Sequence, residues 1–200
     1  MNQLVLATHN KHKAEELQYM LSGTDIEVLT LDAFPQVKDL VEDQDTLEGN
    51  ALKKAREVFR LTSLPSLADD TGLEVHYLYG EPGVYSARYA GPNASYADNV
   101  KRLLKAMKGV PPRRRGARFR SVLAFVAPNN IEKLVEGICC GVITEEPRGG
   151  SGFGYDPIFL PAGYQQTFAE MGMELKNALS HRAKALQLME SLLLEYFRSQ

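Results

Sequence analysis

Two aspartates stand side by side in Ala68-Asp69-Asp70-Thr71-Gly72. Adjacent carboxylates repel each other unless a cation or hydrogen bonds stabilise them. Magnesium takes one or two carboxylates together with waters and substrate phosphates, so such a pair suits a metal site. The same residues also read as a turn carrying surface acids, since Asp favours turns. Glu42 and Asp43 supply further carboxylates from an acidic loop-like stretch, residues 34–45. A second group is basic: Thr8-His9-Asn10-Lys11-His12-Lys13 lies where a short apolar run gives way to a helical pattern. A helix N-terminus carries partial positive charge and unsatisfied N–H groups, so cations there are unfavourable unless an anion joins them. With the added hydroxyl and amide groups, this turn makes a plausible phosphate cradle. A solvated basic turn offset by Glu15 and Glu16 explains it equally well.

The same anomaly recurs near the C-terminus. Ser180 is placed to cap a helix whose first turn holds His181 and Arg182, with Lys176 just before it. Two cation-loaded helix starts and a carboxylate pair make a metal-bridged polyphosphate the simplest common ligand. A glycine-rich loop, residues 149–154, leads into Phe153-Gly154-Tyr155-Asp156-Pro157. An aromatic ring flanked by glycines can stack on a base, and Asp156 can accept hydrogen bonds from a base edge or orient a donor. The alternative is an aromatic folded onto the core. Arg113-Arg114-Arg115, with Arg118 and Arg120, could touch nucleic acid, but it reads better as a solvated loop entering a strand. No P-loop, H-E-x-x-H or G-x-S-x-G is present, and the glycine loop does not fit G-x-G-x-x-G.

The elements that must position these residues follow from periodicity. Residues 3–7 and 26–31 read as strands, 11–22 as a helix with Ala14, Leu17 and Leu21 on one face. Asp45, with Glu48 as capping-box partner, is expected to start a helix striped by Leu47, Ala51, Ala55, Val58 and Phe59. Asp69 to Gly72 is expected as a turn before a strand over 73–78, and 80–93 as a long ordered loop. Ser95 opens a helix. Residues 117–127 and 133–143 read as a pair of long antiparallel strands, 157–160 as a short strand, and a last helix begins near Ser180. Strands and helices mix throughout, giving an α/β (mixed α+β) class in one domain, 1–200.

The 200 residues carry a net charge of −2, so no global basic field recruits nucleic acid. The adjacent Cys139 and Cys140 fit two small apolar strand residues in a reducing compartment. No leader or membrane-length apolar run is read, and the expected location is cytoplasmic.

Taken in order, several motifs resemble the inosine triphosphate pyrophosphatase family, also called Ham1-like or dITP/XTP pyrophosphatases. They are Thr8-x-Asn10-x-x-Lys13, Gly49-Asn50-Ala51-Leu52-Lys53-Lys54-Ala55, Ala68-Asp69-Asp70-Thr71-Gly72, Gly83-Val84-Tyr85-Ser86-Ala87-Arg88-Tyr89, Gly152-Phe153-Gly154-Tyr155-Asp156-Pro157 and Ser180-His181-Arg182. The resemblance implies a long twisted mixed sheet with helices forming two lobes around a central cleft, a homodimer, and magnesium. It implies hydrolysis of ITP, dITP and XTP to monophosphate and pyrophosphate, cleansing the nucleotide pool. Carried over, Asp70 is the general base and a metal-linked acid, and Glu42 a metal ligand. Thr8, His9, Asn10, Lys11, His12 and Lys13 form the phosphate segment, and Thr71 is a substrate contact. Phe153, Gly154, Tyr155 and Asp156 form the base pocket, with Lys176, His181 and Arg182 as further contacts. Many relatives have Gly where His9 stands, and Val41-Glu42-Asp43-Gln44-Asp45 departs from their frequent Glu-Glu-Thr-Gly. A nucleotide sensor without catalysis and an RNA-binding module on Arg113 to Arg120 are the rival readings.

Overall fold

The computed structural model describes residues 2–38 and 40–199, apart from the side chains of His12 and Met20. Among them the chain is mixed α/β, with a seven-stranded sheet of parallel and antiparallel pairs and five α-helices. The strands run in the order β2 (Ile26–Leu29), β1 (Asn2–Leu6), β3 (Ser66–Val75), β5 (Gly116–Ala127), β6 (Ile131–Ile143), β7 (Phe159–Pro161), and β4 (Pro82–Gly83) pairs with β3. Two compact units divide the chain: residues 1–70, 121–137 and 182–200, and residues 71–120 and 138–181.

The first unit is built on β1 (Asn2–Leu6), which pairs parallel with β2 (Ile26–Leu29) and with β3 (Ser66–Val75). Leu4, Val5 and Leu6 are all buried, the continuous apolar run of a strand covered on both faces. Helix α1 (Lys11–Leu21) brings Leu17 and Leu21 to the same core as Leu123 and Phe125 of β5 (Gly116–Ala127). Helix α5 (His181–Arg198) adds Leu186, Met189 and Leu193 at helical spacing. Helix α2 (Leu47–Thr62) starts one residue later than the Asp45 cap allows: Thr46 is the N-cap, its Oγ1 accepting the Gly49 N–H at 3.0 Å. Glu48 sits in that first turn and suits the positive helix end.

The second unit holds the end of β3, β4 (Pro82–Gly83), α3 (Tyr96–Ala106), the start of β5, the end of β6 (Ile131–Ile143), β7 (Phe159–Pro161) and α4 (Met173–Leu179). Its core joins Leu73, Leu103, Met107, Phe119, Ile143, Phe159 and Phe168. Cys139 is buried in β6 and Cys140 exposed, as alternation along a strand dictates.

Several elements differ from the sequence reading: β2 ends at Leu29, β6 begins at Ile131, and the loop expected over 80–93 contains β4. Asp69 to Gly72 is no turn: β3 runs straight through it and ends at Val75, where residues 76–78 form a 3-10 turn. Local propensity favours turns at Asp, but both aspartates are held by tertiary partners that a turn would lose. Residues 156–158 likewise form a 3-10 turn, so the following strand starts at Phe159. Helix α4 was not foreseen, because its seven residues, MELKNAL, are too few for a periodic stripe.

Candidate active site

In the first unit, Asp69 and Asp70 leave β3 on opposite faces, as neighbours in a strand must. Each finds its own set of partners. Asp69 is fully sequestered. Its Oδ1 pairs with Lys13 Nζ, and its Oδ2 accepts from Arg182 Nε at 3.1 Å and from Ser121 Oγ at 3.0 Å. Burial alone would raise this carboxyl, but the Lys13 and Arg182 charges overcome it and hold Asp69 well below the usual range. Arg182 also pairs through Nη1 with Glu16 on α1. Glu16, beside the basic turn, and Arg182, in the first turn of α5, are therefore parts of one buried network.

Asp70 lies in a different setting. Its Oδ2 accepts from Asn50 Nδ2 at 3.1 Å, and Lys54 Nζ stands 3.6 Å from Oδ1. Burial pushes its carboxyl up, aided by the charges of Glu42 and Asp69 and resisted by Lys54 and Lys13. Lys54 is itself buried on α2, and its ammonium donates to Glu42 Oε1 at 2.5 Å and to the Asp69 carbonyl at 2.8 Å. Burial lowers the lysine's pKa, but Asp70 and Glu42 outweigh it and keep the group charged. Lys54 thus ties Glu42 to the β3 aspartates.

The phosphate-segment residues cap α1. Asn10 is the N-cap, its side chain accepting the Lys13 N–H at 3.3 Å, and Thr8 Oγ1 accepts from the Asn10 N–H at 3.1 Å. His9 donates from Nε2 to the Lys38 carbonyl at 3.1 Å. Lys11 is exposed, and the His12 side chain lies outside the described residues.

In the second unit, Asp156 is buried and accepts at Oδ2 from the Phe153 N–H at 2.8 Å and from Lys176 Nζ at 3.0 Å. That geometry requires Gly152, whose φ of +78° and lack of a Cβ leave room for the Asp156 carboxylate. Lys176 Nζ stands 4.8 Å from the Phe153 ring centroid, a cation over an aromatic face. Tyr155 turns away: it is buried, and its hydroxyl donates to the Ser86 carbonyl at 2.9 Å. Burial pushes that phenol's pKa up. His181 is buried and stacks on Phe119, centroids 4.6 Å apart. Thr71 follows Asp70 along β3. A cavity of about 490 Å³ lies between the glycine loop and the face of α3 that carries Tyr96, Val100 and Leu104.

The arginine run is largely committed to structure. Arg115 is buried and donates to the carbonyls of Ile143, Thr144 and Met107 at 2.6, 2.7 and 3.0 Å. Arg114 covers the Tyr77 ring, and Arg118 and Arg120 both bond Glu74. A nucleic-acid interface needs such cations facing phosphate.

A profile of the Ham1 family matches residues 4–192. The chain belongs to the Ham1 family. It is 49% identical to the dITP/XTP pyrophosphatase of Desulforamulus reducens, the match covering 92% of each chain. With that of Geobacter sulfurreducens the identity is 46%, over 95% of this chain and 96% of the relative. The solved structure of a HAM1 protein from Coxiella burnetii superposes with a TM-score of 0.89 at 40% identity, covering 98% of this chain and all of that one.

For this Ham1 chain, sequence reasoning did not assign roles to Lys54, Asn50, Ser121 or Glu16. Two of them carried a signal. Asn50 and Lys54 fall on the same arc of α2 as Leu47, Ala51 and Val58, and a polar side chain buried on an apolar stripe needs a partner. Ser121 on β5 had no such mark. Pairing Glu16 with Arg182, 166 residues away, required the fold.

Proposed function

We propose that this Ham1 protein hydrolyses deaminated purine nucleoside triphosphates, namely dITP, ITP and XTP, to the nucleoside monophosphate and pyrophosphate. The names borne by relatives at 46–49% identity over nearly the full length support the reading. The observation that carries it is the Asp70 environment: a buried carboxylate, raised toward neutrality by burial, oriented by Asn50 and set beside Glu42 and Lys54. General bases are made this way. Asp70 accepts the proton of a water attacking the α-phosphorus, and the bond from that phosphorus to the α,β-bridging oxygen breaks to release pyrophosphate. The cations of the α1 N-terminal turn and Lys54 stabilise the departing pyrophosphate.

The residues present also fit magnesium. The donors are hard carboxylate oxygens, Asp70 and Glu42, held by one lysine. Among the described residues no three or more His, Cys, Asp or Glu side chains gather as a metal cage. Magnesium characteristically does without one, taking few protein ligands and completing its shell with water and phosphate. When bound, it supplies neutralisation of the triphosphate charge.

Base recognition is assigned to the second unit. Phe153 offers its ring for stacking. Asp156 fixes Lys176 Nζ as a donor, which matches a 6-oxo purine and mismatches the 6-amino group of adenine. The two units work as one domain, since β3, β5 and β6 run through both. The protein acts as a homodimer in the cytoplasm. Among the described residues no helix is long and apolar enough to cross a membrane.

Product analysis tests the chemistry. Purified protein with magnesium should convert ITP to IMP and pyrophosphate. Release of IDP and orthophosphate would overturn the cleavage position, and activity surviving exhaustive chelation would overturn the metal.

A further inference from the structure

Phe153 sits between two glycines with left-handed φ, +78° at Gly152 and +63° at Gly154, and its N–H is held by Asp156 Oδ2 at 2.8 Å while Lys176 Nζ stands 4.8 Å from its ring centroid. Across the pocket stands Tyr96, the first residue of α3. A capping box fixes its backbone: Ser95 Oγ accepts the Asp98 N–H at 3.2 Å, and Asp98 Oδ2 accepts the Ser95 N–H at 3.0 Å. From that anchored position the Tyr96 ring meets Phe153 with centroids 6.1 Å apart and planes tilted by 40°. Aromatic pairs attract over roughly 4.5–7 Å and prefer inclined to face-to-face geometry. Tyr96 is 45% exposed, a large aromatic on a helix start with no core to fill. Both rings line the cavity of about 490 Å³, as do Val100, Leu104 and Pro157.

We infer that Tyr96 is a positioning residue for purine binding, holding the Phe153 ring at the angle against which a base stacks. The inference rests on the function proposed above. Without Tyr96, Phe153 keeps the Lys176 contact but loses its ring partner, so part of its ordering falls to the incoming base and is subtracted from affinity. Stacking does not read the base edge, so Tyr96 sets how tightly purines bind and leaves the choice among them to Asp156 and Lys176.

The test is steady-state kinetics with magnesium on dITP and XTP for the wild type, Tyr96→Ala and Tyr96→Phe. Tyr96→Ala should raise KM roughly three- to tenfold for both nucleotides at unchanged kcat, and Tyr96→Phe, which keeps the ring, should restore it. Should Tyr96→Ala lose its fold, Tyr96→Leu carries the same prediction. An unchanged KM in a folded variant, a fall in kcat instead, or no rescue by Phe would overturn the inference while leaving the proposed function intact. A wild type that turns over neither nucleotide would overturn both.

Discussion

At residue scale, the two neighbouring aspartates are built for different tasks. Asp69 satisfies Lys13 and Arg182 deep in the first unit, whereas Asp70 has one amide donor and a lysine at longer range. Asp70→Asn keeps the shape and removes the proton acceptor. Turnover should fall by about 10²–10⁴-fold while the melting temperature stays close to that of the wild type; near-normal turnover in a folded variant would remove Asp70 from the base role. Asp69→Asn breaks a buried ionic network and leaves two cations under-compensated. That variant should lose about 3–5 kcal/mol of stability, read by urea unfolding, and an unchanged midpoint would refute the structural role. The aspartate pair and the basic turn stand out in the sequence because each breaks a local rule, whereas the roles expected of Asp70 and Glu42 come from the family resemblance. It could not separate the tasks of Asp69 and Asp70, which differ only in partners 52 to 113 residues away for one and 16 to 20 for the other.

At element scale, β3 is where sequence logic and structure part. Asp-Asp-Thr-Gly resembles a turn because local propensity cannot register lysines arriving from α1 and α2. Once those pairs exist, an extended backbone serves each aspartate on its own face. The helices were more legible, since α1, α2 and α5 carry apolar residues at helical spacing; only caps and ends moved. Further along β3, Glu74 accepts from Arg118 and Arg120 of β5 at 2.7 and 2.9 Å. Burial would raise this carboxyl, but the two arginines hold it below the usual glutamate range. Folding therefore favours the charged form. The contribution is whole above the unfolded glutamate pKa and is lost as pH falls through the depressed native value. With the arginines partly exposed, the pair is worth about 0.5–1 kcal/mol. Glu74→Gln should lower stability by that much at neutral pH, and the difference should shrink below about pH 4. A difference constant down to strongly acidic pH would show that charge is not what these strands share.

At the scale of the whole molecule, composition and strand–helix alternation were enough for the mixed α/β class, and the ordered motifs for the family. The β5–β6 neighbourhood was legible from the short turn between them, but the rest of the strand order was not, because pairing between distant segments leaves no local trace. Nor was the engagement of the arginine run, which the sequence presents as a solvated loop entering a strand, whereas Arg115 is buried and bonds four carbonyls and Arg118 and Arg120 bond Glu74. The fold assembles a buried network of carboxylates and cations in one unit and an aromatic, lysine-bearing pocket in the other. The claim that these serve a deaminated purine is tested most directly by kcat/KM for ITP, XTP and ATP on the wild-type protein with magnesium. Adenine reverses donor and acceptor at positions 6 and 1, and each unmatched buried group costs roughly 1–3 kcal/mol. ITP and XTP should therefore exceed ATP by on the order of 10²-fold or more. Equal values for ATP and ITP would contradict the assignment, even with pyrophosphate as the product.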